Sequence, residues 1–112
     1  KEKSDLDIAL ADGIEDAEYM DVLHNTLPKL IETEKPDIIF YLAGADVLAG
    51  DRFGCLALSM QGAYQRDEYV LSICQKLNIP VVVTMGGGYS KSLARIIDAH
   101  SQTFYLASQL FD

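Results

Sequence analysis

Two stretches of this 112-residue chain hold residue types that could do chemistry. The first is Gly44-Ala45-Asp46-Val47-Leu48-Ala49-Gly50-Asp51-Arg52-Phe53-Gly54. Asp46 follows the apolar run Ile38-Ile39-Phe40-Tyr41-Leu42 by a few residues, so its carboxylate is expected to be partly buried. An unpaired buried charge is costly, and the group therefore needs a partner. That partner is Arg52, a helix N-terminus or a metal ion; a loop aspartate that satisfies backbone amides fits the sequence equally well. Asp51-Arg52 reads as an ion pair bracing the loop. The second stretch is Gly86-Gly87-Gly88-Tyr89, three glycines and a phenol directly after an apolar run. Glycines let the backbone take positive φ and approach a ligand closely. A phenol presented by such a turn is a good hydrogen-bond donor to a developing oxyanion. A phosphate-binding turn or a plain flexible turn is the competing reading. Against phosphate, no G-x-x-x-x-G-K spacing is present, and Lys91 does not stand where a phosphate-pairing lysine would.

Three strand-then-helix units are expected to position these stretches. Leu6-Asp7-Ile8-Ala9-Leu10-Ala11 alternates like a strand and meets the breaker Asp12-Gly13. Asp16 is the expected N-cap of a helix whose apolar face is Met20, Leu23, Leu27, Leu30 and Ile31. Pro28 is expected to kink it, and it should end before Pro36. Residues 37–42 form an apolar run, the mark of a strand buried on both faces of a parallel sheet. Ser59 caps a second helix to about Leu77, with Met60, Tyr64, Leu71, Cys74 and Leu77 inward. Residues 79–85 form another buried strand. A last helix begins near Ser90, with Leu93, Ile96, Ile97 and Phe104 on one face. Alternating strands and helices indicate an α/β fold with a parallel sheet. Ligands in such sheets bind at the carboxyl ends of the strands. The loops starting at Asp12, Gly44 and Gly86 should then open on one edge. Three strands alone would leave apolar sheet edges exposed, which points to partners outside these residues.

Composition narrows the function. A net charge of −8 repels phosphate backbones and excludes nucleic-acid binding as a main role. No apolar run approaches a membrane span, and no signal-peptide pattern appears. Cys55 and Cys74 are too few for a disulfide scaffold and read as reduced thiols of a cytoplasmic protein. The chain opens on Lys1 rather than Met, which is expected of a piece of a longer protein.

Taken together, Ala11-Asp12-Gly13-Ile14-Glu15-Asp16, the Gly44–Gly54 loop and Gly86-Gly87-Gly88-Tyr89 resemble the zinc-dependent histone deacetylase superfamily, which includes acetoin-utilisation proteins and acetylpolyamine amidohydrolases. The three stretches occur in the family's order and at its approximate spacing, and the likeness covers nearly the whole chain. Arg66-Asp67-Glu68 and Ala94-Arg95-Ile96-Ile97 look closer to the class IV branch and its bacterial relatives. The resemblance implies that residues 1–112 are the C-terminal part of an arginase/deacetylase-like three-layer α/β domain with a mostly parallel sheet. It implies Asp46 as a Zn2+ ligand and Tyr89 as the catalytic tyrosine that stabilises the oxyanion. It places Phe53 on the substrate tunnel, with Gly87 and Gly88 as the glycine wall beside the metal. Met85 departs from the pattern, standing where many members carry another glycine.

The implied reaction is hydrolysis of an N-acyl amide, of an acetyl-lysine or an acetylated polyamine, by a zinc-activated water. The two further ligands, an Asp-x-His pair, and the paired proton-handling histidines lie upstream in the family. Neither His24 nor His100 sits at a strand end to replace them, and both read as surface or core residues. The isolated 112 residues are therefore expected to lack deacetylase activity and a tight zinc site, because one carboxylate does not replace three ligands. Their uncovered apolar surface favours self-association. The competing readings are a non-catalytic α/β binding module that keeps the fold, and a nucleotide-binding half-domain using the glycine run.

Overall fold

The computed structural model describes residues 5–45, 47–49, 56–86 and 93–111. The element order is α1 (Asp16–Glu34), β1 (Ile39–Gly44), α2 (Met60–Lys76), β2 (Val81–Gly86) and α3 (Leu93–Leu110). The strands pair in parallel, from Ile39 opposite Val81 to Gly44 opposite Gly86. A parallel pair needs a long crossover, and α2 supplies it. The α/β class with a parallel sheet is thus the architecture found.

α1 starts without a side-chain cap: its N-cap is Glu15, not Asp16. Asp16 instead turns its carboxylate to the start of α2, where it accepts a hydrogen bond from the Ser59 backbone N–H at 2.9 Å and another from the Ser59 hydroxyl. Asp16 and Glu18 still suit the positive end of the helix dipole. The helix continues through Pro28 and stops at Lys35, whose left-handed backbone (φ 47°) lets its N–H reach the Ile31 carbonyl at 2.8 Å. Its inward face carries buried Ile31 and half-buried Met20, Leu23, Leu27 and Leu30, as the spacing requires.

α2 begins at the expected cap. The Ser59 hydroxyl oxygen accepts from the Gly62 N–H at 3.0 Å. Its buried stripe is Ala63, Arg66, Asp67, Val70, Leu71 and Cys74, whereas Leu77, expected inward, is 52 % exposed. On α3 the residues found buried, among those whose side chains are described, are Ala99, Thr103 and Leu106. Ile97 and Phe104, expected on the inward face, are exposed. The burial of α3 therefore follows a neighbouring stripe that includes a polar threonine.

Two further expectations change. Residues 6–11 form no strand among the described residues, and Leu6 and Ile8 are exposed. Alternation specifies two faces but not a strand edge to pair with, and among the described residues the sheet consists of β1 and β2. Nor is β1 buried on both faces. Tyr41 and Ala43 face the helices, while Phe40 (70 % exposed) and Leu42 (65 % exposed) lie on a face that no described element covers.

Candidate functional site

The register of the sheet defines the frame of the site. Because Gly44 lies opposite Gly86, both strands end at the same level and the chain leaves them side by side. Adjacent strands run about 4.8 Å apart, so the two exits begin as near neighbours. From β1 the chain enters a packed segment. Ala45 and Leu48 are buried with Ala63 of α2 and Ala99 of α3, and Met60 packs against them. Leu48 and Leu58 form a parallel bridge, with the Ala49 N–H donating to Leu58 O at 2.9 Å and the Leu58 N–H to Val47 O at 3.0 Å. These bonds tie residues 47–49 to Leu58, on either side of the Gly50–Cys55 stretch of the sequence. The Gly13 turn (φ 76°) reaches the same place, where Ile14 O accepts from the Ala57 N–H at 2.8 Å. The Asp12-Gly13 segment thus joins the Gly44 loop without a strand in front of it.

The five residues that the sequence nominated, Asp46, Phe53, Gly87, Gly88 and Tyr89, lie outside the described residues. What the structure gives is the scaffold on which their segments begin and end. Asp46 comes two residues after Gly44, and Gly87 directly follows Gly86. The histidines fall elsewhere. His24 is exposed on α1 with its ring edge-on to Tyr69 of α2, centroids 4.3 Å apart, and His100 is half-buried on α3. Among the described residues, no group of three or more His, Cys, Asp or Glu is placed to hold a metal ion. The described residues therefore do not by themselves fit a zinc ion.

Beneath the end of β1 lies a buried polar network that composition and spacing did not single out as part of the site. Asp67, 1 % exposed, gathers donors from three elements. Its Oδ1 accepts from the Tyr41 hydroxyl of β1 and from Arg66 Nε at 3.0 Å, with Arg66 Nη2 at 2.9 Å. Its Oδ2 accepts from the Thr103 hydroxyl of α3. That hydroxyl also lies 3.2 Å from Ala99 O, but its single proton favours the charged acceptor. Arg66, 5 % exposed, spends its remaining nitrogen Nη1 on the Gly44 carbonyl at 2.7 Å. Burial pushes the Tyr41 phenol far above its ordinary pKa, with Asp67 reinforcing the shift and Arg66 opposing it. Burial alone would lower the Arg66 pKa; its neighbours Tyr41 and Asp67 outweigh that and raise it. Tyr41 is therefore a neutral donor and Arg66 a fixed cation. The signal was present in the sequence. Ala63, Arg66, Asp67, Val70, Leu71 and Cys74 recur at three- and four-residue spacing, and Arg-Asp occupies the middle of that stripe.

Comparison with known proteins extends this frame. The model of the histone deacetylase domain matches residues 1–104. An uncharacterized protein of the cyanobacterium Picosynechococcus is 42% identical over 101 residues, covering 90% of this chain and 34% of its own length. Histone deacetylase 2 of Arabidopsis thaliana is 37% identical over 93 residues, covering 83% of this chain and 24% of its own. The acetylpolyamine aminohydrolase of Burkholderia pseudomallei superposes with a TM-score of 0.73 at 18% identity, over 94% of this chain and 29% of the other, and shares the fold. The chain thus spans about a third or less of the length of these proteins.

Proposed function

The chain belongs to the histone deacetylase family, and from that premise we propose that the protein it represents hydrolyses N-acyl amides, of acetyl-lysine or of acetylated polyamines, with zinc as cofactor. The observation that carries this reading is the pairing of Gly44 with Gly86. It supports a site in which the segments of Asp46 and Tyr89 start from neighbouring strand ends. In this reading Asp46 is one zinc ligand, and two further ligands come from sequence beyond these residues. The Tyr89 hydroxyl donates a hydrogen bond to the oxyanion that develops on the scissile carbonyl. Phe53 lines the passage for the acyl-lysine stem, and an apolar side chain suits its methylenes. Gly87 and Gly88 let the backbone approach the reacting group closely. The remaining part of the same domain completes the site, so the 112 residues alone are inactive.

No described helix is long and apolar enough to cross a membrane. The reading assigns the protein to the cytoplasm, where Cys55 and Cys74 remain reduced.

The test is turnover by the full-length protein on an acetyl-lysine peptide and on an acetylated polyamine, with and without a chelator and with zinc restored. The expected result is zinc-restored release of acetate, and a Tyr89→Phe variant whose kcat falls about 100-fold or more while substrate still binds. Turnover untouched by chelation, or near-normal kcat in Tyr89→Phe, would contradict the proposal.

A further inference from the structure

The Arg66-Asp67 pair does more than fill the core. Both side chains are buried, and each charge taken out of water carries a desolvation penalty that a well-packed apolar pair would avoid. What the pair supplies that an apolar pair cannot is direction. The planar guanidinium places Nε and Nη2 on Asp67 and Nη1 on the Gly44 carbonyl, so one rigid group fixes two acceptors relative to each other. Asp67 in turn holds Tyr41 of β1 and Thr103 of α3. One buried unit thereby connects the strand that leads to Asp46, the crossover helix, and the helix that follows Tyr89 in the chain.

We propose that Arg66 and Asp67 are positioning residues that set the end of β1 at Gly44 against α3, and so hold the Asp46 and Tyr89 segments in working register. This rests on the reading of Asp46 and Tyr89 given above. Arg66 acts through the Gly44 carbonyl, and Asp67 acts through Arg66 and Thr103. Lysine at position 66 keeps the charge but has no planar fork to serve Asp67 and Gly44 together. Valine at position 103 keeps the side-chain volume but removes the donor to Asp67.

The experiment uses the full-length protein with Arg66→Lys, with Thr103→Val and with Val70→Ala, a truncation on the same buried stripe of α2 outside the network. Zinc affinity is read by competition with a chelator, and kcat and KM are read on an acetyl-lysine peptide. The expected result is a loss of about 10- to 100-fold in zinc affinity or kcat in Arg66→Lys and Thr103→Val, the range seen when groups supporting metal ligands are removed. KM should stay close to wild type, and Val70→Ala should keep both quantities. If Arg66→Lys does not fold, Thr103→Val decides. Network variants that lose no more than Val70→Ala, in a wild-type protein with zinc-dependent turnover, overturn the positioning role alone. A wild-type protein with no such turnover, or an Asp46→Ala variant with unchanged zinc affinity and kcat, overturns the functional reading and this proposal with it.

Discussion

Tyr41 shows what a single buried hydroxyl does in this chain. It donates to Asp67 from β1, and burial holds its phenol protonated well past the pH at which an exposed tyrosine ionises, about 10. The sign of the resulting pH dependence follows. The folded state keeps the proton while the unfolded chain releases it, so the stabilisation is complete below about pH 10 and declines as pH rises above it. Urea unfolding of the protein between pH 8 and 11 should show this alkaline decline. Tyr41→Phe should flatten it, at a cost of about 1–3 kcal/mol at neutral pH from the acceptor left short of a donor. An equally steep decline in Tyr41→Phe would mean that another group governs it. Asp67 itself illustrates a limit of sequence reading. A charged Arg-Asp pair is ordinarily a solvated face, and only the stripe on which it lies reveals it as buried.

At the scale of elements, punctuation and the parallel pairing of β1 with β2 were readable, while the pairing of residues 6–11 was not. The Ser59 cap, the stop before Pro36 and the second strand up to the glycines follow from side-chain type and Pro/Gly punctuation, and all were found. The strand expected at residues 6–11 was not found among the described residues, because a strand needs an edge to pair with, and local alternation does not supply one. The inward face of α3 was misjudged for a related reason. Apolarity selected Ile97 and Phe104, whereas packing against α2 selects small Ala99 and the hydrogen-bonded Thr103. The loops of Asp46 and Tyr89 stood out by residue type and family likeness, whereas the joint role of Tyr41, Arg66, Asp67 and Thr103 at the end of β1 did not, although their spacing was there to read. A prediction belongs to the end of α1. Lys35 occupies the left-handed region, which costs an L-residue with a Cβ roughly 1–2 kcal/mol more than glycine. Glycine gives back part of that as chain entropy, so Lys35→Gly should stabilise the protein by about 0.5–1 kcal/mol in urea unfolding. A destabilised Lys35→Gly would show that the lysine side chain contributes more than its backbone costs.

The whole molecule is asymmetric in what it covers. Among the described residues, the helices shield one face of the sheet and leave Phe40, Leu42 and Val82 open on the other, while Ile97 and Phe104 on the outer side of α3 and Phe111 just past its end are exposed at seven-residue intervals. Apolar patches of this kind mark surfaces that something else covers. In a chain that spans a third or less of its relatives, the rest of the same domain is the cover this account assigns. The 112 residues in isolation should therefore self-associate in sedimentation experiments at micromolar concentration. Phe40→Lys combined with Leu42→Lys should shift them toward monomer. An isolated chain that sediments as a monomer would contradict the assignment of that face.

The zinc content of the full-length protein, with and without the Asp46 carboxylate, tests most directly the proposed role of that residue as a zinc ligand of an amide hydrolase. About one zinc per chain is expected in the wild type and a sharp loss in Asp46→Ala, with deacetylation lost in parallel. Full stoichiometric zinc in purified Asp46→Ala would contradict it.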